Sequence, residues 1–397
     1  MKIAIANVKY SANVGDGLLS ECLEFGLNNI NDMKFDISSC DLAGRTRYCT
    51  DTQARSTRKK YLQILDSTPK MMRRFVLRTG LSLKSLSWRK HYDCCIGDAE
   101  AVVIGGGNLF TDVDLNFPTK ISVLLNLAKQ RRQPIYIYGI GVGDVWSKRG
   151  LEILREALKN SDIRTVAVRD RRSQKNFIKY FGDIVKQSPV VVRDPGLITS
   201  EVYKLDDGVV LQGVGICLTS PAAISYHSNI SVSNDFLLNW YERLYSQLTE
   251  GGARVEIFTN GDEEDNAFAS DFCSFIKAKK GIEIELFSPQ TPTELASYIG
   301  NMQAVVAFRM HALICAYSLG KRIVALMWDP KVESLMASLG LKKYLVDVNT
   351  VEVADVCSLV LLESERSDSN CISVQEEALN EIGDLAKNVQ SLSVRYQ

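Results

Sequence analysis

The sequence predicts an α/β protein made of two doubly wound parallel-sheet domains, and three observations carry the prediction. Short apolar runs of strand length alternate with amphipathic stretches of helix length. Several of these runs end in glycine-rich turns, the device by which a parallel sheet hands the chain to the next helix. The rhythm halts near Gly196 and starts again, and 397 residues suffice for two ordinary cores.

The elements follow in order. Lys2 to Val8 alternates as a strand and leads through Asn13-Val14-Gly15-Asp16-Gly17 into an apolar-periodic helix over Leu18 to Leu27. Ala101 to Ile104 is wholly apolar, a short buried strand opening into Gly105-Gly106-Gly107. Ile135 to Tyr138 repeats the device with Gly139-Ile140-Gly141-Val142-Gly143, and Thr165 to Val168 and Val190 to Val192 close the series. Helices are expected over Lys120 to Arg131 and Leu151 to Asn160. The first domain is placed at 1–200, with a linker near 198–208, and the second at 201–397. In the second, strands are expected at Val209 to Leu218, Arg254 to Thr259, Ile282 to Phe287, Ala304 to Phe308 and Ile323 to Met327. Helices are expected near Asn234 to Thr249 and Glu264 to Lys279, and after the capping sequence Thr291-Pro292-Thr293-Glu294. From about Val351 the pattern is helical and ends in a polar tail.

Composition narrows the function. Forty-seven basic and forty-seven acidic residues cancel, so no global charge drives nucleic-acid binding. No run approaches eighteen apolar residues and the first residues do not read as a signal peptide, so a cytoplasmic protein is expected. The ten cysteines lie mostly singly in apolar segments and are expected to be reduced core thiols. Cys94-Cys95, read as lacking both a second pair and a close His, make a poor zinc site, so no metal is expected. One segment breaks the rhythm: Arg55 to Lys90 carries eleven Lys or Arg and one acid, interleaved with apolar residues. It reads as a basic helical insertion at about 55–90, either a solvated face or an amphipathic patch that rests on an anionic membrane surface or meets a lipid-diphosphate substrate.

The glycine turns place backbone N–H groups and helix N-termini at the edge of the sheet where doubly wound proteins bind ligands. Gly106, Gly107 and Asn108 are the sharpest instance, because consecutive glycines suit a close approach by a ligand or another backbone. Gly141 lies in a turn that spells no full dinucleotide fingerprint, which argues against a nicotinamide or flavin. Asp16, Asp112 and Asp144 follow the turns and can either cap helices or bind sugar hydroxyls. Arg169 stands at the carboxyl end of its strand, on the ligand side. His311 is the most informative residue: it follows Arg309 and Met310 where a buried strand stops and a helix begins, eighteen residues before Asp329-Pro330-Lys331. A permanent cation beside the one side chain that titrates near neutral pH suits an anion-handling site. A buried Arg309 needs an anion, and none is adjacent in sequence.

These residues give the chain its resemblance to the polysaccharide pyruvyl transferases. Asn13-Val14-Gly15-Asp16, Gly105-Gly106-Gly107-Asn108-Leu109-Phe110, Val168-Arg169-Asp170 with Ser173, Asp194-Pro195-Gly196, Arg309-Met310-His311-Ala312 and Trp328-Asp329-Pro330-Lys331 carry it. The family usually has Gln at Ile140, Pro at Asp144, Leu at Met310 and Tyr at Trp328. The resemblance implies a GT-B-like fold, two Rossmann-like doubly wound domains facing a central cleft. It also implies transfer of the pyruvyl group of phosphoenolpyruvate onto two hydroxyls of a sugar, free or lipid-linked, with a cyclic ketal formed and phosphate released. Phosphoenolpyruvate is then a donor substrate and no cofactor is expected. In the family, residues matching Arg169, Met310 and His311 are associated with the donor site.

The residues support such chemistry on their own terms. Arg169 and Arg309 offer planar donor forks to a carboxylate or phosphate, with Lys331 as a third cation. His311 is the candidate acid or base, and Asp16, Asp112 or Asp329 can take the remaining proton. Two other readings stay open: a nucleotide-sugar glycosyltransferase of the same architecture, with Glu294 or Glu333 on the ribose, and a non-catalytic glycan-assembly protein.

Overall fold

The computed structural model describes residues 1–29, 34–48, 84–204, 213–227, 232–361 and 368–391. The chain divides into two compact units. One comprises Met1–Tyr10, Leu19–Pro195 and Leu379–Gln397, the other Ser11–Leu18 and Gly196–Ala378.

The first unit is built on six parallel strands, β1 (Lys2–Asn7), β2 (Asp36–Asp41), β3 (Ala101–Gly105), β4 (Ile135–Ile140), β5 (Ile163–Val168) and β6 (Val190–Val191), in the order β2-β1-β3-β4-β5-β6. All residues of β3 and β4 are buried, as apolar runs covered on both faces must be. Its helices are α1 (Val14–Asn29, which begins in the second unit), α2 (described over 84–96), α3 (Asn116–Gln130), α4 (Lys148–Lys159) and α5 (Arg171–Phe181). Ser147 caps α4 by accepting from Gly150 N, and Asp170 caps α5 by accepting from Ser173 N. Phe110, Phe177 and Phe181 cluster beneath the carboxyl ends of the strands, the rings of Phe110 and Phe181 5.8 Å apart. This packing fixes the turn after β3 against α5.

The second unit repeats the plan with β7 (Gly213–Cys217), β8 (Arg254–Phe258), β9 (Leu286–Phe287), β10 (Ala304–Ala307), β11 (Arg322–Leu326) and β12 (Leu345–Val346), parallel in the order β12-β11-β10-β7-β8-β9. Two short helices, α6 (Thr199–Val202) and α7 (Pro221–His227), precede α8 (Asn234–Glu250) and α9 (Glu263–Lys280). Then come α10 (Pro292–Gly300), α11 (Met310–Ser318), α12 (Pro330–Ser338), α13 (Val353–Leu361) and α14 (Asp368–Gln390), the last continuing into the first unit. The capping sequence before α10 closes as its residues predict: Thr291 Oγ1 accepts from Glu294 N, and Glu294 Oε2 accepts from Gln290 N.

Differences from the sequence expectation are local. The strands β2 and β12 were not expected, the first because Asp-Ile-Ser-Ser-Cys-Asp is too polar to read as a buried run, the second because it is two residues long. The run Ile282 to Phe287 forms a strand only over its last two residues, and Ile282 is exposed. Residues 209–212 of the strand expected from Val209, most of the basic insertion (55–83) and the end of the polar tail lie outside the described residues. Among the described residues no helix is long and apolar enough to cross a membrane.

Candidate functional site

In the first unit the turns after β3, β4 and β5 converge. Gly106 and Gly107 both adopt φ of +80°, a conformation that other residues rarely take, and they turn the chain so that Asn108 points back toward β4. Gly141 N donates to Gly107 O at 2.8 Å, and Arg169 N donates to Ile140 O at 3.1 Å. A side chain at Gly141 would collide with Asn108 Oδ1 and would sit 2.8 Å from Arg169 Nη2. Gly141 is therefore required by the approach of these two polar groups to one point.

Arg169 is buried, its side chain 4% exposed, yet among the described residues none of its three guanidinium nitrogens makes a hydrogen bond. Asp170 lies 3.5 Å from Nε and Asp194 4.0 Å from Nη1, close enough for charge compensation but too far for directed bonds. Asp170 is already engaged in capping α5. Asn108 Oδ1 is likewise buried without a hydrogen-bond partner among the described residues. Tyr138, on β4, was not singled out by the sequence. Its hydroxyl is also buried without a hydrogen-bond partner among the described residues, and burial, with Glu381 and Asp194, pushes the phenol well above its ordinary pKa.

Asp112 has structural employment in the same unit. Its Oδ1 accepts from Leu115 N, and its Oδ2 accepts from both the backbone and the hydroxyl of Ser147, bracing the start of α4. Asp114 and Leu115 beside it have positive φ, so the carboxylate also holds a strained turn. Asp144 pairs with Arg172. Ile140 is fully buried in the sheet.

In the second unit the residues around His311 are assembled by close backbone approach. Val14 N donates to Asn260 O, and Asn13 accepts from Gly15 N and Asp16 N, so α1 starts at Val14 against the turn after β8. A side chain on Gly15 would overlap His311, whose Nδ1 lies 2.7 Å from where the Cβ would be. With that approach permitted, Asp16 Oδ1 reaches 3.6 Å from His311 Nδ1, an ion-pair distance when the imidazole is protonated. His311, 11% exposed at its side chain, stands in the first turn of α11 next to Met310.

Arg309 corrects an expectation. The anion that sequence reasoning left to a ligand is supplied by Asp265 of α9: Arg309 Nε donates to Asp265 Oδ2 at 2.6 Å, and Asp265 Oδ1 accepts from Ser220 N. Both residues are buried. Burial opposes the charge on Arg309, but the carboxylate outweighs it and raises the guanidinium pKa further. Trp328 covers the guanidinium, 6.0 Å from its ring centre, while its Nε1 donates to Phe308 O. The sequence hid Asp265 inside an acidic first helical turn, where Asp262 is the cap and Glu263 and Glu264 are its neighbours. Asp329 caps α12, accepting from Lys331 N, and also pairs with Lys331 Nζ at 2.8 Å.

Two Rossmann-like parallel α/β domains, each with a buried arginine at a strand carboxyl end, define a GT-B-like protein. Solved structures of that fold match over nearly the whole chain. The UDP-GlcNAc 2-epimerase from Neisseria meningitidis, determined bound to UDP-GlcNAc, is 11% identical with a TM-score of 0.55, covering 100% of both chains. The corresponding enzyme from Methanocaldococcus jannaschii is 10% identical, TM-score 0.55, covering 98% of this chain and 100% of its own. That from Rickettsia bellii is 10% identical, TM-score 0.54, covering 100% and 96%. At such identities the likeness is one of fold. The chain belongs to the polysaccharide pyruvyl transferase family, whose model matches residues 13–330. No curated protein matches it in sequence.

Proposed function

We propose that the protein moves the pyruvyl group of phosphoenolpyruvate onto two hydroxyls of one sugar in an exopolysaccharide or cell-envelope glycan precursor, forming a cyclic ketal and releasing phosphate. Family membership supports pyruvyl transfer to a polysaccharide. The observation that carries the donor is Arg169, a buried guanidinium whose donors have no hydrogen-bond acceptor among the described residues, set beside Asn108 and the space kept open by Gly141. A buried charged donor left unbonded is costly, and a carboxylate or phosphate would complete it with a bidentate pair.

The chemistry then divides among named groups. The methylene carbon of the donor takes a proton, and a sugar hydroxyl oxygen forms a bond to the neighbouring carbon, losing its own proton to a base. Phosphate leaves that carbon with its bonding electrons, and the second hydroxyl adds and loses its proton to close the ketal. His311 is the proton carrier in this reading, because its ordinary pKa lies near neutrality and Asp16 stands beside its Nδ1. Asp16 faces Nδ1 at ion-pair distance and so orients the imidazole. Asp112, which braces α4, and Asp329, paired with Lys331, act in positioning their loops. Arg309, held by Asp265, fixes the start of α11 and so the place of His311.

The test is phosphate release from phosphoenolpyruvate across a panel of free and lipid-linked sugars, with His311→Ala alongside. Turnover with one acceptor class is expected, and the variant should fold normally while losing about 10²–10⁴-fold in rate. Phosphate release by no acceptor together with hydrolysis of a nucleotide sugar would replace this reading with glycosyl transfer. Undiminished turnover by His311→Ala would remove that residue from proton transfer.

A further inference from the structure

The first unit gathers a second set of reactive side chains away from Arg169. Cys40 is the penultimate residue of β2, and His91 and Cys95 lie one turn apart on α2. The spacing of four puts the latter two on one helix face, and Cys95 Sγ is 3.7 Å from His91 Nε2. One donor atom from each of Cys40, His91 and Cys95 lies within 4.8 Å of the others. Tetrahedral zinc, with Zn–S of about 2.3 Å and Zn–N of about 2.0–2.1 Å, spaces its ligand atoms by roughly 3.5–3.8 Å. Coordination would draw the three ligand atoms together by about an ångström at most.

We propose that Cys40, His91 and Cys95 form a zinc site, with water in the fourth position. Two thiolates and a neutral imidazole cancel the charge of the ion, which suits a place where Cys40 is fully buried and the other two are half-buried. Thiolate ligands disfavour magnesium and calcium. Asp41, fully buried next to Cys40, is committed to Tyr10 N, Ala43 N and Arg45, so it stands behind the site as a second layer of charge. Cys94, by contrast, is exposed. The expectation that these cysteines hold no metal rested on the absence of a close His. His91 is four residues from Cys95, and Cys40 is brought in by the parallel pairing of β2 with β1. An ion here would pin α2 to the edge of the sheet and close a chain segment of about fifty residues, where a crosslink has a large effect on the unfolded state.

The full-length protein, reduced with a phosphine and freed of metal, is titrated with Co²⁺. The expected result is thiolate-to-cobalt charge-transfer absorption with the intense ligand-field bands of a tetrahedral ion. These should saturate at one ion per chain, be displaced by Zn²⁺, and accompany a higher unfolding temperature. Cys40→Ser and His91→Ala should each weaken binding by at least about tenfold, and Cys94→Ser should leave it unchanged. Should a variant fail to fold, the wild-type titration still decides. Absence of the charge-transfer band overturns the site, as does a band that survives intact in folded Cys40→Ser. A Cys40–Cys95 disulfide in protein purified without reductant, with no cobalt uptake after reduction, overturns it in favour of a redox pair.

Discussion

Arg169 directly follows β5 and Arg309 lies two residues beyond β10, so each stands at the carboxyl end of an inner strand of its parallel sheet. Both are buried. Arg309 has a carboxylate at 2.6 Å, in line with its Nε, and an indole over its plane. Arg169 has two carboxylates at 3.5 and 4.0 Å and, among the described residues, no hydrogen bond to its guanidinium. The residue type and the topological position are the same, and the difference lies in what the rest of the fold brings to it. A guanidinium bonded to a buried carboxylate serves the scaffold, whereas a buried one with no such bond has donors to offer an anion. In the reading proposed above, Arg169 therefore carries the donor and Arg309 carries the shape of the His311 turn.

Removing the two side chains should separate these roles. Arg309→Met leaves the Asp265 carboxylate buried without its partner and should cost about 3–5 kcal/mol of stability, measured by denaturant unfolding. Arg309→Met combined with Asp265→Asn keeps an acceptor for Ser220 N, removes both charges, and should recover most of that loss. If the single and double variants are equally destabilised, the pair is not what holds Arg309 and the contrast with Arg169 weakens.

The two glycines sharpen the contrast at smaller scale. Gly15→Ala pushes against His311 and should lower kcat by about 10–100-fold with little change in the donor requirement, as expected for displacement of a proton-transfer group. Gly141→Ala intrudes between Asn108 and Arg169 and should instead raise the phosphoenolpyruvate KM, by about tenfold for ~1.4 kcal/mol of lost binding. Steady-state kinetics on both variants reads the split directly, and identical kinetic signatures would dissolve the distinction between the two regions.

The comparison also marks how far the sequence could be read. Both arginines, His311 and the glycine turns were legible because apolar runs ending in glycine or arginine announce the carboxyl edge of a parallel sheet. The capping of α10 was legible for the same local reason. The partner of Arg309 was not, since Asp265 is forty-four residues away and is hidden among helix-capping acids. Asp112 looked like a candidate base because a carboxylate after a glycine turn has two uses, and only its contacts with Leu115 and Ser147 reveal the structural one. The spacing of His91 and Cys95 was visible but was submerged in a basic segment. Cys40 joins them through sheet pairing, which no local pattern records.

In the proposed function, Arg169 is an anion site held open at a cost to stability. Calorimetric titration of phosphoenolpyruvate into wild type and Arg169→Met, with thermal unfolding of both, tests it most directly. Arg169→Met is expected to be destabilised less than Arg309→Met, because Asp170 and Asp194 lie too far to hydrogen-bond the guanidinium, and its donor affinity is expected to fall by about 100-fold or more. A variant that binds phosphoenolpyruvate as wild type does, or that is destabilised as severely as Arg309→Met, would contradict it.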